Sequence, residues 1–162
     1  MNEAKPARIA SFEVDHTVLL EGMYISRRDG DVVTYDLRTR RPNMGDYMDN
    51  RTMHSLEHLF ATFIRSSEIA DKVIYFGPMG CQTGFYLLVR DLPAEEVRAA
   101  TVACLERILA YDGPMFGESA VECGNYKNLS LADGKREAER YLAVLKRTEG
   151  RGFHYEKGAG QK

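Results

Sequence analysis

His54-Ser55-Leu56-Glu57-His58 sets two imidazoles four residues apart with a carboxylate beside them. On a helix, residues i and i+4 are neighbours on one face, so both rings can grip a single metal ion. At about 100° per residue, His54, Glu57, His58 and Ala61 cluster together, opposite Leu56, Leu59, Phe60 and Phe63. The polar trio therefore does not share the core face, and Ala61 leaves room beside a bound ion. The plain alternative is a solvated polar face on a surface helix. Histidine is scarce, however, with only His16, His54, His58 and His154 in the chain, so a pair at this spacing is informative.

Two histidines do not close a site. Cys123, in Glu122-Cys123-Gly124-Asn125, is the natural third ligand. The glycine beside it lets the backbone approach closely. Two nitrogens and one sulfur leave a coordination position open, the mark of a catalytic rather than a structural metal. Spacing leaves equally open a small buried hydrophobe, a common fate of free cysteine. Cys81 sits in Pro78-Met79-Gly80-Cys81-Gln82-Thr83-Gly84. A glycine-flanked turn before a strand exposes the thiol, and a nearby cation would favour its thiolate. Its alternative is a structural turn cysteine. Cys104 lies on the apolar stripe of a helix and belongs to the core. Three cysteines, an odd number with no close pair, argue against a disulfide framework and for a reducing compartment, the cytoplasm.

The elements that must position these groups follow from periodicity. Mixed apolar and polar residues over Val14–Leu20 predict a strand, and VVTYDL from Val32 predicts another. Leu56, Leu59, Phe60, Phe63 and Ile64 recur at helical spacing between Thr52 and Ser66. Val73–Phe76 and Phe85–Val89 read as strands flanking the Cys81 turn. Val97 to Leu109 forms a second amphipathic helix and Leu131 to Lys146 a third. Strands and helices do not alternate as regular βαβ units, so the expected fold is α+β: one two-layer domain with helices packed on a largely antiparallel sheet. That domain is expected over residues 1–148, with a Gly-rich, loose tail over 149–162.

Composition narrows the function. The 162 residues suit one domain, and 44% apolar with 28% charged residues fits a globular chain. Twenty-two Lys and Arg against 24 Asp and Glu leave a net charge of −2, no footprint for nucleic acid or anionic lipid. The longest apolar runs fall far short of the ~20 residues of a membrane span. The charged first residues lack the apolar segment of a signal peptide.

With these residues in view, the chain closely resembles the S-ribosylhomocysteine lyases, the autoinducer-2 synthases of the LuxS family. The resemblance runs from Ser11 to about Leu145. It rests on Ser11-Phe-Glu-Val-Asp-His16, Tyr35-Asp-Leu-Arg38 followed by Pro42-Asn43, His54-Ser-Leu-Glu-His58, Pro78-Met-Gly-Cys-Gln-Thr-Gly84 and Glu122-Cys-Gly124 in combination. It implies that His54, His58 and Cys123 bind one divalent metal per subunit, Fe2+ replaceable by Zn2+ or Co2+. It implies Cys81 as general acid/base, Glu57 as second proton carrier, and Ser11, His16 and Arg38 as substrate contacts. The implied reaction converts S-ribosylhomocysteine to homocysteine and 4,5-dihydroxy-2,3-pentanedione by carbonyl migration and β-elimination, in a methyl-cycle and quorum-sensing setting. The implied assembly is a homodimer with active sites at the interface, so that Ser11, His16 and Arg38 approach a metal held by the other chain.

Two rival readings of the same residues remain at this stage. H-x-x-E-H is also a metallopeptidase motif, in which Glu57 activates water and Glu118, Glu122 or Glu137 completes the site. That reading gives Cys81 and Cys123 no role. The other is a non-catalytic metal-binding module, which would require a closed set of four ligands.

Overall fold

The computed structural model describes residues 6–156. Strands β1 (Gly22–Asp29), β2 (Val32–Arg38), β3 (Val73–Pro78) and β4 (Gly84–Arg90) pair antiparallel in the order β1-β2-β4-β3. Helices α1 (Asn50–Ile64), α2 (Ala94–Ala110) and α3 (Leu131–Arg147) pack together and cover one face of this sheet. The expected α+β arrangement of helices on an antiparallel sheet holds. Among the described residues no helix is long and apolar enough to cross a membrane.

The period-2 rule decides which strand residues meet the helices. Val33, Tyr35 and Leu37 of β2 stand opposite Val89, Leu87 and Phe85 of β4, and all six are buried in the apolar core. Phe60 of α1 stacks on Phe76 of β3 with ring centroids 4.3 Å apart, and Phe76 stacks on Phe85 at 5.0 Å. Burying one such side chain contributes about 1.5–3 kcal/mol, so this aromatic column fixes α1 firmly on the sheet. The intervening β2 residues Asp36 and Arg38 point to the other face, yet they too are buried.

Capping sets the start of α1. The Asp49 carboxylate accepts a hydrogen bond from Thr52 N at 2.7 Å and so satisfies one orphan donor of the first turn. Hydrogen bonding from the Thr52 backbone, with its side chain adding to it, holds the carboxyl below its usual range. Helix α3 is pressed close to α1 at Gly134. A Cβ there would lie 2.5 Å from Leu59 Cδ1 and 3.3 Å from the Ser55 backbone. The Ser55 hydroxyl accepts from Ser130 N at 2.9 Å and ties the loop before α3 to the same helix.

One expected element is absent. Residues 14–20 form turns, not a strand, and the edge strand is β1 at Gly22–Asp29. Locally, the Asp15 carboxylate accepts from Thr17 N at 2.9 Å and from its hydroxyl at 2.6 Å, a side-chain turn that competes with extended pairing. The true strand is disguised by Arg27, Arg28 and Asp29, the charged ending natural edge strands carry. Residues 149–156, assigned by sequence to the tail, lie against this edge. Ile25 N donates to Phe153 O at 2.7 Å, and the Tyr155 ring stacks on Tyr24 at 4.9 Å.

Candidate metal centre and thiol site

The helical wheel of α1 is realised. Leu56, Leu59, Phe60 and Phe63 are buried, while His54, Glu57, His58 and Ala61 are half-buried on the other side. The two imidazoles meet edge to face with centroids 4.6 Å apart. Cys123 Sγ lies 3.3 Å from His54 Nε2, and one ligand atom from each of His54, His58 and Cys123 falls within 4.8 Å of the others.

The loop between α2 and α3 builds the rest. His58 Nδ1 is 2.7 Å from the Phe116 carbonyl oxygen. A carbonyl only accepts, so Nδ1 carries the proton and Nε2 keeps its lone pair for a metal, the usual outer-shell device for a histidine ligand. Phe116 is held in turn by stacking on Tyr111 at 4.8 Å and by edge contact with Phe63 at 5.4 Å. Next to it Gly117 has φ +69°, and a Cβ there would stand 2.9 Å from His58 Nδ1, so both backbone conformation and close approach select glycine. Cys123 N donates to Ser119 O at 3.0 Å, and Asn125 N points at the Cys123 sulfur from 3.4 Å. Burial pushes the His54 imidazole below its ordinary value, His58 adding to this and Glu57 opposing it. Ligation requires that neutral form. Two ring nitrogens and one thiolate, with outer-shell support and no fourth ligand from the described groups, fit an open site for a borderline divalent ion.

The second group forms where β2 ends beside the β3–β4 turn. Arg38 is 2% exposed. Its Nε and Nη2 donate to both Asp36 oxygens at 3.1 and 2.7 Å, and Nη1 donates to Thr83 Oγ1 at 2.7 Å. The same Nη1 lies 3.8 Å from Cys81 Sγ, and Thr83 Oγ1 lies 3.1 Å from that sulfur. Burial alone would push the Arg38 guanidinium down, but the Asp36 carboxylate outweighs it and holds it above its ordinary value. A fixed cation thus faces an exposed thiol, the setting of a reactive cysteine. Cys81 opens into a shallow depression of about 220 Å³ with His16, Pro42, Asn43, Tyr47 and Thr83. Cys104 is the opposite case: it is buried, its Sγ is 3.6 Å from Phe60 O, and burial pushes its thiol up.

His54, His58 and Cys123 therefore converge, as do Arg38, Cys81 and His16, and Glu57 lies on the metal face of α1. Ser11 does not line the Cys81 depression; it sits in a short 3-10 turn at Ala10–Phe12. Sequence reasoning missed Asp36, Thr83 and Phe116. The first had a readable signal, since Asp36 and Arg38 are i and i+2 on one strand face. Thr83 follows Cys81 by two residues in the turn. Phe116 acts through its carbonyl, which no side-chain pattern announces.

Comparison with known proteins agrees with this geometry. The family model described as S-ribosylhomocysteinase (LuxS) matches residues 9–150. An S-ribosylhomocysteine lyase of Desulfotalea psychrophila is 44% identical over 144 residues, covering 85% of this chain and 91% of that protein. Those of Finegoldia magna and Clostridium beijerinckii are 43% and 42% identical, over 85% and 83% of this chain and 91% and 89% of their own lengths.

Proposed function

The chain belongs to the S-ribosylhomocysteinase (LuxS) family, and from that premise we propose how its residues divide the work of an S-ribosylhomocysteine lyase. The reaction moves a carbonyl along a ribose from C1 to C3, then eliminates homocysteine from C5. The single observation that carries the reading is the pairing of an open His54/His58/Cys123 donor set with an exposed thiol under a buried arginine.

His54, His58 and Cys123 hold the metal, Fe2+ with Zn2+ or Co2+ as replacements. When bound, it supplies Lewis acidity that stabilises negative charge on a sugar oxygen as the neighbouring C–H proton leaves. Every other task falls to the chain. Cys81 removes a proton next to the carbonyl and returns one to the adjacent carbon, as each carbonyl shift requires. Arg38 and Thr83 stabilise the sulfur between these transfers. Glu57, beside the histidines but outside the ligand set, carries protons to and from the sugar oxygens. Once the carbonyl is at C3, abstraction at C4 forms the C4–C5 double bond as the thiolate of homocysteine departs. No electron is gained or lost overall.

His16 and Ser11 contact the substrate, His16 from the rim of the Cys81 depression. The enzyme works as a cytoplasmic homodimer. The thiol group of one protomer faces the metal group of its partner, which also covers the site from water, where electrostatic stabilisation is stronger. The pentanedione is the autoinducer-2 precursor, and the homocysteine is a methyl-cycle product. The test is direct: purified protein is incubated with S-ribosylhomocysteine and free thiol is measured. Stoichiometric homocysteine from the wild type, and release from Cys81→Ala slower by about 10²-fold or more, is the expected result. Peptide hydrolysis that survives Cys81→Ala would instead favour the metallopeptidase reading.

A further inference from the structure

Asp36 Oδ2 has two donors. One is Arg38 Nη2 at 2.7 Å, and the other is the Tyr155 hydroxyl at 3.0 Å, from a segment 119 residues further along the chain. Tyr155 lies beyond the 9–150 stretch that the family model matches. Its ring is held by the stack on Tyr24, and the backbone just before it is pinned to β1 by the Ile25–Phe153 hydrogen bond. Burial, with the Asp36 carboxylate adding to it, pushes the phenol up, so the hydroxyl stays protonated and remains a donor.

We propose that Tyr155 is a positioning residue for the thiol site: its hydroxyl holds Asp36, which holds Arg38 against Cys81. The proposal deepens the functional reading above and rests on it for the meaning of turnover. A carboxylate that shares its charge between two donors draws less on either one. With the Tyr155 hydroxyl in place, Asp36 fixes the guanidinium without fully neutralising it, and Nη1 keeps positive charge for the sulfur 3.8 Å away. Without the hydroxyl, Asp36 Oδ2 serves Arg38 alone, and the guanidinium is drawn away from Cys81.

Within one protomer, few of the described groups face the sulfur. Arg38 approaches from β2, Thr83 from the turn itself, and His16 and Tyr47 from across the depression. Tyr86 of β4 interacts with Cys81 electrostatically. Tyr155 reaches the thiol site through its hydrogen bond to Asp36 and through its electrostatic interaction with Arg38.

The experiment compares wild type, Tyr155→Phe and Tyr155→Ala. Tyr155→Phe keeps the ring on Tyr24 and deletes one hydroxyl. Alkylation of Cys81 by iodoacetamide is followed from about pH 6 to about pH 10 by mass spectrometry of its peptide, with buried Cys104 as the internal control. In Tyr155→Phe the midpoint of the rate-against-pH curve moves up by about half a unit, or about threefold slower alkylation below the midpoint. The kcat for homocysteine release falls about threefold with KM unchanged, and the melting temperature falls by a few degrees, less than in Tyr155→Ala. Tyr155→Ala moves the midpoint in the same direction and also lowers the melting temperature. A Tyr155→Phe midpoint equal to wild type overturns the proposal. Failure of the wild type to release homocysteine would overturn the functional reading instead, and the alkylation curves would still decide the role of Tyr155.

Discussion

Replacing Asp36 with alanine leaves a guanidinium charged and almost sealed from water. The Arg38 and Asp36 side chains are 3% and 1% exposed, and two hydrogen bonds join them. What remains for Arg38 is one hydroxyl, Thr83 Oγ1, and the sulfur of Cys81. Removing one partner of a buried ion pair costs about 3–5 kcal/mol, because the other charge is stranded. That is a large part of a total stability of about 5–15 kcal/mol. At about 2–4 °C per kcal/mol for a chain of this length, the melting temperature should fall by roughly 6–20 °C. Arg38→Met in the same chain removes the stranded charge, and apolar replacement of a buried pair is often neutral. The Asp36→Ala/Arg38→Met double variant should therefore recover most of the lost melting temperature. It should not recover turnover, since Cys81 no longer has a cation against it. Thermal unfolding and homocysteine release on the two single variants and the double complete the cycle. An Asp36→Ala protein within about 1 kcal/mol of wild type, or a double variant as active as wild type, would refute the reasoning.

Cys81→Ala should keep its fold and metal but lose about 10²–10⁴-fold in turnover, the usual scale for a general acid/base; Cys104→Ala, buried beside Phe60, should lower the melting temperature and leave turnover nearly unchanged. Mixing inactive Cys81→Ala with inactive His58→Ala under subunit exchange should restore one working site per mixed dimer, about half the native activity of that dimer. No recovery would place thiol and metal in one protomer. Burial, aided by Asp36, pushes the Tyr24 phenol up to about 12. The unfolded chain gives up that proton near pH 10, so the contribution to stability is present below about pH 10 and is lost as pH rises toward 12. Denaturant midpoints should therefore fall over that window, and less steeply in Tyr24→Phe; equal slopes would count against the shift.

Helix α1 is readable because one signal determines both of its faces. A 3.6-residue apolar stripe puts Leu56, Leu59, Phe60 and Phe63 in the core, and the same geometry forces His54, Glu57 and His58 outward together. β2 and β4 were readable because the alternating Val33, Tyr35 and Leu37 face Val89, Leu87 and Phe85. β1 was hidden because an edge strand needs only one buried end, and its Arg27-Arg28-Asp29 half follows solvent rather than core. Spacing leaves the role of Cys123 open, since nothing local says that a loop residue 69 positions from His54 returns to it. The contacts of Asp36 with Arg38 and Tyr155 show both limits: the first lies within one strand, while the second depends on where the tail docks.

The central claim is that the lyase chemistry depends on one ion held by His54, His58 and Cys123. Protein stripped by chelator and titrated anaerobically with Fe2+, in the presence of S-ribosylhomocysteine, tests it most directly. The account predicts that homocysteine release is lost on stripping, rises linearly with added metal and saturates at about one ion per chain. Cys123→Ala should neither retain the ion nor recover activity at that ratio. Full homocysteine release from the stripped protein, or stoichiometric metal in Cys123→Ala, would contradict it.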